Sequence, residues 1–244
     1  SDNGVLFDKS KTKLIRFPNG KTGDYTIPNS VISIGNEAFG NCDNLISITI
    51  PESVMSIGGG AFHGCDNLSV LIIPISVISI EYAAFSNIKA LKSIDVAGEN
   101  PKYTSEEGVL FDKNKTELIQ FPAGKNGHYT VPDSVNLIGG YAFVDSRSLT
   151  SVTIPDSVTS IEYGAFSGCK ILTSVNIPDS VESIGDQAFF GCNDLKNLTI
   201  GNSVTSIGSR VFISCTSLTS VTIPDSVASI GSRAFQECTS LMSV

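Results

Sequence analysis

Apolar residues return along this chain at a fixed interval of 23 positions. The phrase Ile-Pro-x-Ser-Val-x-x-Ile-Gly-x-x-Ala-Phe-x-x-Cys-x-x-Leu begins, with minor variation, at Ile27, Ile50, Ile73, Val131, Ile154, Ile177, Ile200 and Ile223. Ile recurs at 34, 57, 80, 138, 161, 184, 207 and 230, Phe at 39, 62, 85, 143, 166, 189, 212 and 235, and Leu at 45, 68, 91, 149, 172, 195, 218 and 241. Repetition at such a period marks a stack of coils in which each apolar row lies on its counterpart in the next coil.

Within one coil, Leu45, Ile48 and Ile50 end in the alternation of a half-buried strand, with Ser47 and Thr49 on its other face. Pro51, lacking an amide hydrogen, stops the ladder. Val54 and Ile57 mark a second short extended stretch that ends at Gly58. From Ala61 through Phe62 and Cys65 to Leu68 a spacing of about three predicts a single helical or 3₁₀ turn. A coil of this kind hides its apolar face only by stacking, which aligns the strands into a parallel sheet.

One polar residue is as regular as the apolar rows: Ser30, Ser53, Ser76, Ser134, Ser157, Ser180, Ser203 and Ser226. A hydroxyl buried at a corner needs a partner, so these serines are expected to bond backbone groups between coils as a structural ladder.

Between Val96 and Val131 the period breaks. Gly108-Val109-Leu110-Phe111-Asp112-Lys113 through Leu118-Ile119-Gln120-Phe121-Pro122 reads as a hairpin, and Gly4-Val5-Leu6-Phe7-Asp8-Lys9 through Leu14-Ile15-Arg16-Phe17-Pro18 is an earlier copy at an offset of 104 residues. The expected organisation is a single solenoid over 1–244, built of a hairpin module (1–26), regular repeats (27–96), a second hairpin module (97–130) and further regular repeats (131–244). Eleven of the sixteen Lys and Arg residues lie in 1–26 and 89–128, either as a site of electrostatic contact or as solvated charges that guard hairpin edges.

With 41% hydrophobic and 16% charged residues the chain is too apolar to be disordered. A formal net charge of −8 makes nucleic acid and anionic membranes poor partners. Membrane insertion is not expected, because no apolar run is long enough for a spanning helix. Ser1-Asp2-Asn3-Gly4 lacks the basic and apolar regions of a leader, so the chain carries no address of its own.

Candidate chemistry is sparse. Cys42, Cys65, Cys169, Cys192, Cys215 and Cys238 share one repeat position, which Ile88 and Ser146 fill elsewhere, so they read as buried packing thiols. His63 and His128 lack companion ligands or nucleophiles at a repeated spacing. Gly58-Gly59-Gly60 lacks the Lys of a phosphate loop, and Asp112-x-Asn114-x-Thr116 lacks the Gly and Glu of a calcium loop. No catalytic, cofactor-binding or metal-binding residues are expected, no cofactor is implied, and the chain reads as not an enzyme.

Leu45-x-x-Ile48-x-Ile50-Pro51-x-Ser53, followed by Ile57-Gly58 and Ala61-Phe62-x-x-Cys65, resembles the BspA-like, or treponemal-type, leucine-rich repeat. The resemblance covers nearly the whole chain and departs from commoner leucine-rich repeats, which have Asn where this chain has Ser. It implies an α/β, mainly β fold: a curved, right-handed leucine-rich-repeat solenoid with a parallel sheet on its concave face and short strands or 3₁₀/helical turns on the other sides. It also implies a secreted or surface-displayed protein of a host-associated bacterium, extracellular or at the cell surface, whose relatives bind host matrix or plasma proteins and other bacterial cells.

The partner must be read by positions that vary. Along the long strands these are mostly small and polar, such as Ser151 and Thr153 or Ser220 and Thr222. Val70, Ile72 and Ile75 break the rule, and with Ser93 and Asp95 they form the candidate partner-binding set. Two functions stay open: an adhesin-type interaction scaffold binding a protein or glycan, and a structural spacer that holds other domains away from a cell surface. The oligomeric state is not fixed by the sequence.

Overall fold

The computed structural model describes residues 3–244; Ser1 and Asp2, the first half of the segment read for a leader and the start of the first hairpin module, lie outside the described residues. The chain forms two compact units, one holding residues up to Asn114 together with Gln120–Gly124, the other Lys115–Ile119 together with Lys125–Val244.

In the first unit, Leu6–Phe7 pairs antiparallel with Lys13–Arg16. That strand is followed in parallel by Ser33–Ile34 at an offset of 20 residues, and then by Ser56–Ile57 and Ser79–Ile80, each residue facing the one 23 positions on. On the other side of the coils, Gly23–Thr26 pairs with Leu45–Thr49, and Val70–Ile73 with Ser93–Val96. The second unit repeats the scheme: short strands run from Leu137–Ile138 to Ser229–Ile230, and the long strands are Gly127–Thr130, Leu149–Thr153, Ser174–Asn176 and Asn197–Thr199. Each unit is a β-solenoid whose register follows from one rule. Pro follows most of the long strands, with Ala97 and Gly201 in its place after Ser93–Val96 and Asn197–Thr199, and a step of 23 residues returns each side chain to the same face.

No helix forms among the described residues. In the segment where spacing suggested a helical turn, backbone amides divide by parity. Ala38, Gly40 and Cys42 donate within the coil to Gly35, Glu37 and Phe39, whereas Glu37, Phe39 and Asn41 donate to Gly59, Ala61 and His63 of the next coil. A helix sends every amide back along its own segment. Here every second one is drawn to a neighbouring coil, and a run of β-turns results. The geometry places two left-handed residues in each coil, at Gly60 and Gly64 but also at Glu37, Asn41, Ala83, Tyr141 and Arg210. Away from glycine that backbone costs roughly 1–2 kcal/mol per residue.

The core is layered. Phe39, Phe62 and Phe85 stack with ring centroids 5.1 and 5.9 Å apart, and Phe143, Phe166, Phe189, Phe212 and Phe235 form a second stack at 4.6 to 5.6 Å. Beside the rings, the Sγ of Cys65, Cys169, Cys192, Cys215 and Cys238 donates to a Phe carbonyl one coil back, at 3.0 to 3.3 Å. The cysteines are free thiols that use their weak donor to close a backbone acceptor the turns leave open.

A clamp joins coil and hairpin inside the first unit. Asn100 is fully buried; its Nδ2 donates to the carbonyls of Pro74 and Val77 at 2.8 and 2.9 Å, and its Oδ1 accepts from the amides of Lys102 and Tyr103 at 2.9 and 2.8 Å. The strand it launches, Tyr103–Glu106, pairs antiparallel with Val109–Asp112. The Tyr103 hydroxyl in turn accepts from the Ile80 amide at 2.9 Å.

Candidate interaction surface

Every large apolar side chain exposed between residues 27 and 96 has a polar counterpart 104 residues later. Ile32, Ile46, Met55, Val70, Ile72, Ile75, Ile78 and Tyr82 are exposed; the matching positions hold Asn136, Thr150, Thr159, Ser174, Asn176, Asp179, Glu182 and Asp186. The coils around them are alike in strand, turn and core, so packing does not demand an apolar residue at these places. Exposed apolar surface costs hydration free energy and invites association, and more of it lies in this block than in 131–200.

The residues singled out in the sequence lie together in the first unit. Val70 and Ile72 project from the Val70–Ile73 strand, 45% and 61% exposed, and Ile75, 41% exposed, sits in the corner behind Pro74. Val70 is in register with Ser93 and Ile72 with Asp95. Ser93 and Asp95 differ in access. Ser93 is half-buried where Gly108 passes over it, and its Oγ donates to Asp95 Oδ1 at 2.5 Å, whereas Asp95 is exposed. Glycine is required at 108: its φ is +75° and a Cβ there would fall 2.5 Å from Ser93 Oγ.

Ile32, Met55 and Ile78 lie off the long strands, where alternation along a strand does not reveal them. They enter the short strands one coil apart, for the Met55 amide donates to the Ile32 carbonyl at 2.7 Å and the Ile78 amide to that of Met55 at 2.9 Å. The signal that reveals them is the comparison of the two blocks at the 104-residue offset.

At the serine ladder, Ser76, Ser157, Ser180 and Ser226 donate to the carbonyls of Val54, Val135, Val158 and Val204 at 2.7 to 2.8 Å. Ser53 Oγ is buried without a partner among the described residues. Ser30, Ser134 and Ser203 are exposed.

Both histidines meet a serine: His63 Nδ1 lies 2.8 Å from Ser86 Oγ and His128 Nδ1 2.8 Å from Ser151 Oγ. His128 Nε2 also lies 3.1 Å from Thr130 Oγ1. The contacts with Ser86 and Ser151 tie side chains across successive coils, and that with Thr130 stays within one strand. Burial pushes the thiols of Cys169, Cys192 and Cys215 well up, which keeps them protonated and poor nucleophiles. Among the described residues, no group of three or more His, Cys, Asp or Glu is placed to hold a metal ion, and no helix is long and apolar enough to cross a membrane.

Relatives agree with this architecture. The model of the BspA type leucine-rich repeat region matches residues 13–126 and 120–242, in six copies. No curated protein matches the chain. A leucine-rich repeat protein from Eubacterium ventriosum has the same fold, with a TM-score of 0.71 and 24% identity over 96% of this chain and 84% of its own. A leucine-rich cell surface protein from Faecalibacterium prausnitzii is 31% identical over 82% of this chain, with a TM-score of 0.66, and the pneumococcal vaccine antigen PcpA is 27% identical over 84%, with a TM-score of 0.65. This chain spans 59% and 61% of those two structures. With matched repeats covering nearly its whole length, the chain belongs to the BspA-type leucine-rich repeat family.

Proposed function

We propose that this chain is a non-catalytic, adhesin-type interaction scaffold displayed at a bacterial cell surface, where it binds a protein or glycan of the host or of another bacterium. The observation that carries the reading is the exposed apolar set of residues 27–96, whose counterparts in 131–200 are all polar, the second block exposing instead Tyr163, Ile171 and Phe190, which are not among those counterparts. Val70, Ile72, Ile75 and Asp95 form the centre of the contact, with Ser93 holding the Asp95 carboxylate in place. The Faecalibacterium relative, described as a cell surface protein, supports the location. Host extracellular matrix and plasma proteins are the partners to try first.

The second unit favours a spacer role for its own coils. Its long strands show Ser151, Thr153, Ser174 and Asn176, a face without the aromatic and Arg anchors that dominate tight interfaces.

The test is binding of the full chain to a panel of purified matrix and plasma proteins, beside a variant carrying Val70→Ser, Ile72→Asn and Ile75→Asp. Because those are the residues of the second block, the variant should fold. Loss of binding in the variant supports the reading. Binding that survives the substitutions overturns the contact, and a chain that binds nothing on the panel or on host cells is a spacer.

A further inference from the structure

The apolar surface continues around the coil that starts with Val70. Val70 and Ile72 lie on the long strand, Ile75 in the corner, and Ile78 at the entry to the short strand, where Met55 and Ile32 extend it across the two preceding coils. Carboxylates border it. Asp95 is the register partner of Ile72, and Glu52 holds in the preceding coil the position that Ile75 holds in its own. Both are exposed. The regular coils of this block contain six acidic residues and two lysines, and one of those lysines, Lys89, is already paired with Asp66.

We propose that this surface recognises a polypeptide segment in which aliphatic side chains alternate with Lys or Arg. Burial of aliphatic carbon against Val70, Ile72, Ile75 and Ile78 supplies affinity at about 25 cal/mol per Å² of apolar surface removed from water. The flanking cations meet Asp95 and Glu52, which speeds encounter and rejects acidic partners. A second copy of the chain fits poorly, because each copy carries a net charge of −8. A neutral glycan would leave the carboxylates without a counter-charge. The inference rests on the reading of Val70, Ile72 and Ile75 as a contact face and adds the chemistry of what it contacts.

Three synthetic peptides of equal length test it: alternating Leu and Lys, alternating Leu and Glu, and alternating Ser and Lys. Binding to the full chain is measured by fluorescence anisotropy at low and high salt. The Leu–Lys peptide is expected to bind at least about tenfold more tightly than either other, a difference of about 1.4 kcal/mol. Its affinity should fall as salt rises. It should also fall at least about tenfold in the Val70→Ser/Ile72→Asn/Ile75→Asp variant, and by a smaller factor in Asp95→Asn/Glu52→Gln. Equal binding of the Leu–Glu peptide, lost in the triple variant, would overturn the cationic preference and leave the contact face standing. Leu–Lys binding that is unchanged in the triple variant would overturn both. Failure of all three peptides to bind would overturn the proposed partner chemistry while leaving the matrix-protein test untouched.

Discussion

Residues 27–96 and 131–200 are the same structure facing solvent differently. Phe39, Phe62 and Phe85 have their match in Phe143, Phe166 and Phe189, and the short strands pair residue for residue across 23 positions in both blocks. Yet Ile72 faces water where the second block has Asn176, and Ile78 where it has Glu182. A stacked coil is specified by inward rows and turn geometry, so its outward positions are free to be spent on recognition. Eight large apolar side chains are exposed in the first block, against Tyr163, Ile171 and Phe190 in the second, none of them a counterpart of the eight.

If the two cores are equivalent, equivalent damage should cost the same. Phe62→Ala and Phe166→Ala each remove a ring stacked on both sides, and each should lower the unfolding free energy by about 3–5 kcal/mol. Chemical denaturation followed by circular dichroism measures both. A large difference between them would break the equivalence.

The Asn100 clamp lies in the first unit, so Asn100→Ala sharpens the contrast instead. It leaves the carbonyls of Pro74 and Val77 and the amides of Lys102 and Tyr103 without their side-chain partner, and should cost about 1–3 kcal/mol. Hydrogen exchange should accelerate around Ile80 and Tyr103 and stay unchanged in the coils after Val131.

Left-handed positions offer a gain of stability in either block. Ala83→Gly relieves a backbone at φ 58° and should stabilise by about 1 kcal/mol. Tyr141→Gly, at φ 62°, should gain less, because the ring it deletes packs edge-on against Tyr163 at 5.2 Å. Thermal unfolding of the two variants gives the order.

The smallest effect concerns the first hairpin turn. Asp8 accepts from the amides of Thr12 and Lys13 at 2.8 and 2.9 Å and from the Ser10 hydroxyl at 2.7 Å, and these bonds, that of Lys13 foremost, hold its carboxyl below the usual range. A carboxyl with a lowered folded-state pKa stabilises the fold above its unfolded pKa of about 4, and that contribution is lost as pH falls through the folded value. Asp8→Asn should flatten the acid limb of the stability curve slightly, read as the pH dependence of the thermal midpoint.

Much of this was legible in the sequence, for a physical reason. Ile57, Phe62 and Leu68 are read easily because stacking forces the same residue into each coil. The left-handed positions were hidden, since Glu37, Gly60, Ala83 and Arg210 share a backbone shape but no chemistry. The turn run looks helical in sequence because its spacing of three is the same, while the bonds that distinguish it leave the coil. Asn100 occurs once, so no period points to it. Val70 and Ile72 stood out against polar counterparts, but Ile32, Met55 and Ile78 needed exposure to show that they face water.

The central claim is that outward positions alone decide recognition, and a graft tests it most directly. In the chain already carrying Val70→Ser, Ile72→Asn and Ile75→Asp, the changes Ser174→Val, Asn176→Ile, Asp179→Ile, Glu182→Ile and Thr199→Asp rebuild the contact on the second block, and affinity for the Leu–Lys peptide is measured. Recovery to within about a factor of three of the original affinity is the predicted result. A grafted chain that folds and unfolds normally yet binds no better than its parent would contradict it.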